Sequence, residues 1–345
     1  ADGRLDRERL YASVKRVLRA KYRLGLTQPQ RVELVNLRLA LNTPEMLVLK
    51  RRLIANALTL VRDSNGLTGF QNVEKYKFAS LALGDTNRTI FQTYCGYYAP
   101  VTHFNAGKEL DSLLQIKLLD TLRKFDVVLV SFHNTRTKAS DNFGLSDSQV
   151  QFVDKLNKLT TVVVTMFGNP YSLKYFDEIP LLLQAYTEDP PAQELAAQSL
   201  FGANDLSGKL PVTASASAKF GQGIPKTFAQ KRMGYDLPEA VGMNSDTLSL
   251  MDDLAEELIR TGAAPGCQIL VAKDGKIVWH KAYGHFTYPE FANQKVSDTP
   301  ALANQKIGGT SNANLLVGEQ PIPVTTETIY DLASVTKVAA STIST

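Results

Sequence analysis

Between about residue 76 and residue 186 two kinds of segment alternate, and that alternation limits the folds open to the chain. Residues 78–83, 127–131, 162–167 and 181–186 are short apolar runs, continuous rather than alternating in polarity. Residues 110–124 and 147–159 lie between them and repeat their apolar positions every three or four residues. A strand that is apolar throughout has to be buried on both faces, so the pattern predicts a largely parallel sheet covered by helices on each side. Pro190-Pro191 opens a further helix through Leu200 that stops at Gly202, and residues 210–213 read as a last strand.

The flanks read differently. Residues 5–24 place Leu10, Tyr11, Val14, Val17, Leu18 and Tyr22 on one helical stripe, with Asp6 as its cap and Gly25 as its stop. Thr43-Pro44 starts a second helix, read as running through Leu58 and Val61 to a break at Asn65-Gly66. Residues 214–240 are rich in Ala, Ser, Gly and Lys and keep no apolar period, which predicts a linker or a surface strap. Residues 247–260 are an amphipathic helix. Residues 268–272 and 276–283 are two strands joined through Asp274-Gly275, a strong hairpin signal. Residues 289–322 are polar and rich in Gly and Asn, as in a long loop.

Composition excludes more than it identifies. With 345 residues, 44% hydrophobic and 21% charged, the chain is neither disordered nor fibrous. An excess of four positive charges is too small to argue for nucleic acid. No apolar run reaches the ~18 residues of a membrane span. Cys95 and Cys267 read as core thiols rather than a disulfide, and the four histidines show no metal spacing, so no metal or cofactor is expected. At roughly 100–200 residues per domain, length alone points to two domains.

One short motif carries chemistry. Ser334-Val335-Thr336-Lys337 is the only place where a Ser precedes a Lys by three residues. On a helix that spacing puts hydroxyl and ammonium on one face, where a desolvated Lys helps to deprotonate the Ser. Unrelated surface helices contain the same spacing by chance. His133 and Arg136 follow the carboxyl end of a predicted strand, where open α/β sheets hold ligands, so both are candidate substrate-binding residues. The competing reading for each is a solvated or interface loop.

Two resemblances sharpen this picture. Leu200-Phe201-Gly202, followed by Leu206-Ser207-Gly208-Lys209-Leu210-Pro211-Val212-Thr213, resembles the C-terminal α/β domain of family 3 glycoside hydrolases. Residues 53–63 with Asn65-Gly66 and residues 125–130 are similar to the same domain, and helix 5–24 is similar to the tail of the barrel domain that precedes it. Residues 265–276, with Tyr283-Gly284, resemble the opening hairpin of serine β-lactamase-like hydrolases, a family that includes class C β-lactamases, D-Ala-D-Ala peptidases and esterases. Residues 328–337 resemble that family's nucleophile segment, which implies Ser334 as the acylated nucleophile and Lys337 as its base partner.

The fold expected is therefore a three-layer α/β/α sandwich with a largely parallel sheet, followed by an incomplete α+β β-lactamase-like segment. The expected division is 1–42 for a barrel tail and connector, 43–213 for the α/β domain, 214–240 for a linker and 241–345 for the start of the serine-hydrolase domain. Both ends look cut. The family's downstream Tyr-x-Asn and Lys-Thr-Gly-like elements would fall beyond Thr345, leaving the Ser334 site incomplete. The barrel with the nucleophilic Asp would precede Ala1, so this chain alone is expected to be inactive.

In the β-glucosidase branch of the first family the α/β domain supplies a Glu as general acid. This sequence has no Glu between Glu109 and Glu178, where that loop lies. The resemblance then favours the β-N-acetylglucosaminidase branch, whose acid/base is an Asp-His pair in the barrel. The expected parent is a bacterial-type fusion that hydrolyses terminal β-N-acetylglucosaminides with retention, its substrate an aminosugar glycoside derived from cell wall. An envelope or secreted location would suit that chemistry, and the oligomeric state is not legible. The competing readings are a serine hydrolase acting through Ser334, a β-glucosidase parent, and a non-catalytic interaction module.

Overall fold

The computed structural model describes residues 6–28, 34–288 and 321–330. Two compact units divide the chain, residues 1–47 and 48–345. In the first, α1 (Arg7–Arg23) starts where Asp6 accepts the Glu8 amide at 3.1 Å, with Glu8 in its first turn and Lys21 and Arg23 in its last, each placed to complement the helix dipole. Its apolar stripe, Leu10 to Tyr22, is exposed. The short α2 (Leu37–Leu41) follows. In sequence, α3 (Pro44–Ala57) spans the boundary.

The second unit holds a six-stranded sheet made of β1 (Thr59–Asp63), β2 (Phe78–Leu83), β3 (Val101–Ala106), β4 (Val127–Phe132), β5 (Thr161–Met166) and β6 (Leu181–Gln184). Its order is β1-β6-β5-β4-β2-β3. Only β1 runs antiparallel, against β6. The helices between strands are α4 (Ile90–Gly96), α5 (Ser112–Leu122), α6 (Asp147–Asn157) and α7 (Pro190–Leu200).

Side chains of one strand alternate between two cores. Val128, Val130 and Phe132 of β4 pack with Leu118 and Leu122 of α5 and with Phe152 and Leu156 of α6. Val127 and Leu129 pack on the opposite face with Phe91 of α4 and Leu195 of α7. Each fully buried Phe or Leu there stabilises the fold by about 1.5–3 kcal/mol relative to exposure. This is the three-layer sandwich that the continuous apolar runs predict.

Beyond the sandwich a smaller lobe follows. It comprises β7 (Gly234–Tyr235), α8 (Ser245–Arg260), β8 (Gly266–Lys273) and β9 (Lys276–Gly284), with sheet order β7-β9-β8. Asp274 and Gly275 both have positive φ, 52° and 73°, the backbone that a tight two-residue hairpin turn requires. Leu248 of α8 packs on Val278 of β9.

Two readings of the sequence need correcting, and two features add to it. The helix from Pro44 ends at Ala57, and residues 59–63 form an edge strand, because Leu60 and Val61 pack against opposite faces of the sheet rather than along one helical stripe. Residues 210–213 form no strand. Instead Leu210 exchanges backbone hydrogen bonds with Gly221 and Gln222, at 2.8 Å each. Strand β3 and helix α4 have no clear signature in the sequence, since residues 101–106 are half-polar and α4 has only seven residues. Residues 214–240 are pinned along their length: Lys226 bridges Leu206, Ile224 donates to Leu60 O at 2.8 Å, and residues 234–235 join the second sheet.

Candidate functional site

Neighbouring strands β2 and β4 send their chain in opposite directions, β2 toward β3 and β4 toward β5. Such a switch leaves a crevice at the carboxyl ends of the strands. The chain leaves β2 at Gly84 and β4 at His133. Gly84 has φ +95°, and a Cβ there would run into the His133 carbonyl oxygen. That closeness lets Asn134 Nδ2 donate to Gly84 O at 2.7 Å.

The His133 side chain is wholly buried. Its Nδ1 lies 3.1 Å from Glu188 Oε1 and its Nε2 lies 2.9 Å from Ser131 Oγ. The ring packs on Phe167, with centroids 5.3 Å apart. An ionised carboxylate only accepts, so in the neutral ring Nδ1 carries the proton and Nε2 accepts from the Ser131 hydroxyl. The order Ser131–His133–Glu188 resembles a nucleophile, base and orienting carboxylate. Ser131, however, has no exposed surface, so no substrate reaches it. This relay holds structure.

What it holds is the loop after β4. The second Glu188 oxygen, Oε2, accepts the Asn134 amide at 2.7 Å, and Asn134 sits in the left-handed region at φ 52°. Thr135 Oγ1 donates to Phe167 O at 2.7 Å. The loop is thus tied to the ends of β2 and β5 and to the turn between β6 and α7. Further on, Arg136 is exposed and donates to Asp141 at 2.7 Å. Beside this loop a cleft of about 360 Å³ opens, lined in part by Lys108, Glu109, Ser140, Asp141, Ser146 and Ser148.

His133 and Arg136 share one loop but do not converge. His133, read as a candidate substrate-binding residue, points inward to Ser131 and Glu188, and Arg136 points outward into an ion pair. Ser334 and Lys337 lie outside the described residues, as does nearly all of the expected loop 289–322. The preceding residues 321–330 do belong to the hairpin lobe: Phe286 N donates to Ile322 O at 2.9 Å, and Val324 N to Gly284 O at 3.0 Å. Glu188 is the residue that sequence reasoning missed. Its position just past the carboxyl end of a predicted strand, the same criterion that selected His133, could have found it.

Among the described residues, no three His, Cys, Asp or Glu side chains gather as a metal site, and no helix is long and apolar enough to cross a membrane.

The model of the glycosyl hydrolase family 3 C-terminal domain matches residues 67–245, just over half of the chain. The β-lactamase family matches residues 251–343. A protein of Escherichia coli strain K12 named "Putative D-alanyl-D-alanine carboxypeptidase" is 33% identical over 104 residues, 30% of this chain. That match spans only 18% of the curated relative's length. Among solved structures, the chain is similar to a glycoside hydrolase family 3 β-N-acetylglucosaminidase from Paenibacillus sp. str. FPU-7, at 20% identity and a TM-score of 0.43, covering 62% of this chain and 41% of that one. It is also similar to the β-glucoside phosphorylase BglX, at 19% identity and a TM-score of 0.44, covering 62% and 40%. By its sequence match, the chain belongs to the glycoside hydrolase family 3 C-terminal domain family and continues into a β-lactamase-family segment.

Proposed function

We propose that this chain is the α/β part of a retaining glycoside hydrolase acting on terminal β-N-acetylglucosaminides. In this reading residues 43–213 close the sugar site from the crevice side and residues 214–240 lead into a serine-hydrolase domain. One observation carries the choice of substrate. The loop of residues 133–144 contains a single acid, Asp141, and Arg136 occupies it at 2.7 Å. A general acid must face the leaving oxygen, and the Asp141 carboxylate is turned to the Arg136 guanidinium of its own loop instead. The acid then comes from another part of the enzyme, as the resemblance to the aminosugar branch implies. Hydrolysis would pass through a glycosyl-Asp intermediate, with Asp and acid flanking the bond.

The test is carried out on the enzyme that carries this chain. It should cleave a 4-nitrophenyl N-acetyl-β-glucosaminide with at least tenfold higher kcat/KM than the β-glucoside. The Asp141→Asn variant should keep its pH profile. A reversed substrate ratio, or an Asp141→Asn enzyme whose rate collapses and is rescued by azide, overturns the reading. This chain by itself should release no 4-nitrophenol.

A second activity is supported by the match over residues 251–343 and by the named carboxypeptidase relative. In this reading Ser334 is acylated with Lys337 as base, and the peptide side of the same cell-wall polymer is the substrate. A fluorescent penicillin should label the enzyme at Ser334, and Ser334→Ala should abolish the label. Labelling that persists in the alanine variant refutes the assignment.

A further inference from the structure

The segment that connects the α/β lobe to the hairpin lobe has the composition of a tether, yet its far end sits on a buried ionic cluster. Arg51 of α3 is only 7% exposed. Its guanidinium reaches Glu194 Oε2 of α7 at 2.5 Å, Asp236 Oδ1 of the connecting segment at 2.8 Å and Tyr235 O at 3.0 Å. Asp236 is also the residue whose amide donates to Ile277 O of β9 at 3.1 Å. One buried cation therefore touches both layers of the junction. A buried charge is tolerated only when paired, and removing one partner of such a cluster leaves the others uncompensated. Without Arg51, Glu194 and Asp236 would face each other as two like charges.

Independent contacts close the same seam. Gln198 Oε1 of α7 accepts the Tyr235 amide at 2.8 Å. Lys276 of β9 reaches across to Asn204 Oδ1 at 2.5 Å. Arg232 spends its guanidinium on three backbone carbonyls of the α/β lobe, Gly69 at 3.1 Å, Phe70 at 2.7 Å and Phe201 at 2.5 Å. Tyr94, Tyr97 and Tyr98 surround the Tyr235 ring at 5.4, 5.0 and 6.2 Å between centroids. Gly234 and Tyr235 meanwhile pair in register with Lys276 and Ile277. The two residues of β7 are thus a strand of one lobe and a docked segment of the other.

We propose that residues 226–236 with Arg51 form a charge lock that makes the two lobes one rigid body. The hairpin lobe, including residues 321–330 that lead toward Ser334, is then held in a single orientation against the α/β lobe. The proposal stands apart from the substrate assigned above, since it concerns only how the lobes are joined.

The experiment is hydrogen exchange and limited trypsin digestion of the whole chain. In the wild type, the amides of Gly234, Tyr235 and Asp236 should be protected at least 100-fold over an unstructured peptide. Cleavage after Lys226, Lys231 and Arg232 should be correspondingly slow. In Arg51→Leu, protection at residues 234–236 should fall at least tenfold and cleavage at those sites should accelerate by a similar factor, with the β4 amides unchanged. Unprotected 234–236 amides or rapid cleavage in the wild type overturns the proposal, and so does an Arg51→Leu chain that keeps both protections. If Arg51→Leu loses β4 protection as well, the wild-type measurement decides alone, and Asp236→Asn provides the milder perturbation of the same contact.

Discussion

Replacing Glu188 with Ala should expose how the crevice loop is held. The carboxylate accepts two hydrogen bonds, from His133 Nδ1 at 3.1 Å and from the Asn134 amide at 2.7 Å. A hydrogen bond to a charged group contributes about 1.5–3 kcal/mol net. The Glu188 side chain is 31% exposed, so water can take over part of its role at Asn134 but not at the buried His133 ring. Discounting one of the two bonds for that access leaves an expected loss of about 1.5–3 kcal/mol, read as a shift in urea midpoint at constant m.

Glu188→Gln should cost less, because the imidazole can exchange tautomers. Gln Nε2 would donate to Nδ1, and Nε2–H would turn to the Ser131 hydroxyl. Nitrogen-15 NMR of the His133 ring reads this directly, with the proton on Nδ1 in the wild type and on Nε2 in Glu188→Gln. This arrangement is refuted if the neutral wild-type ring carries its proton on Nε2. It also fails if Glu188→Ala unfolds within about 0.5 kcal/mol of the wild type, the range of an ordinary surface substitution.

Three further outcomes follow from the same structure. Gly84→Ala should destabilise by about 2 kcal/mol or more, since it combines a positive φ with a collision at the His133 carbonyl, and thermal unfolding measures it. His103, hydrogen-bonded to Ser80, has its pKa pushed down to about 4, first by burial and then by Arg88. Its neutral form is the one the fold favours, so its stabilising contribution is complete above about 6.5 and is lost as pH falls toward 4. Proton NMR should place the midpoint near 4, and a midpoint at 6.5 contradicts the packing. Burial raises the pKa of both thiols, but Cys95 is fully enclosed whereas Cys267 is half-buried. Ellman's reagent should therefore react slowly with Cys267 in the native chain and with Cys95 only after denaturation, and two native thiols reacting together would contradict it.

The parts of the fold that were legible share one property: their burial is uniform along the segment. Residues 78–83 and 127–132 are buried at every position, so the apolar run names the strand without ambiguity. Strand β1 was misread because residues 59–63 continue the apolar content of a helix and only the last two are less buried. Strand β3 is an edge strand, half-exposed and half-polar, and has no comparable signature. The candidate site was half visible. His133 follows from its place after a strand, but its inward turn depends on Glu188, 55 residues away in the chain.

The sequence by itself determined the layered α/β sandwich, the hairpin turn at Asp274-Gly275 and the family matches, because each depends on residues close together in the chain. Only the tertiary structure decided that Ser131 and Glu188 hold the buried His133 ring between them. Only the structure, too, shows that the linker-like residues 226–236 are sewn to both lobes. The physical reason is the same in both cases. The partners, Glu188 for His133 and Arg51 for Asp236, come from distant elements that sheet order and helix packing bring together. A polar residue's burial, and hence what it can do, is set by which partner arrives.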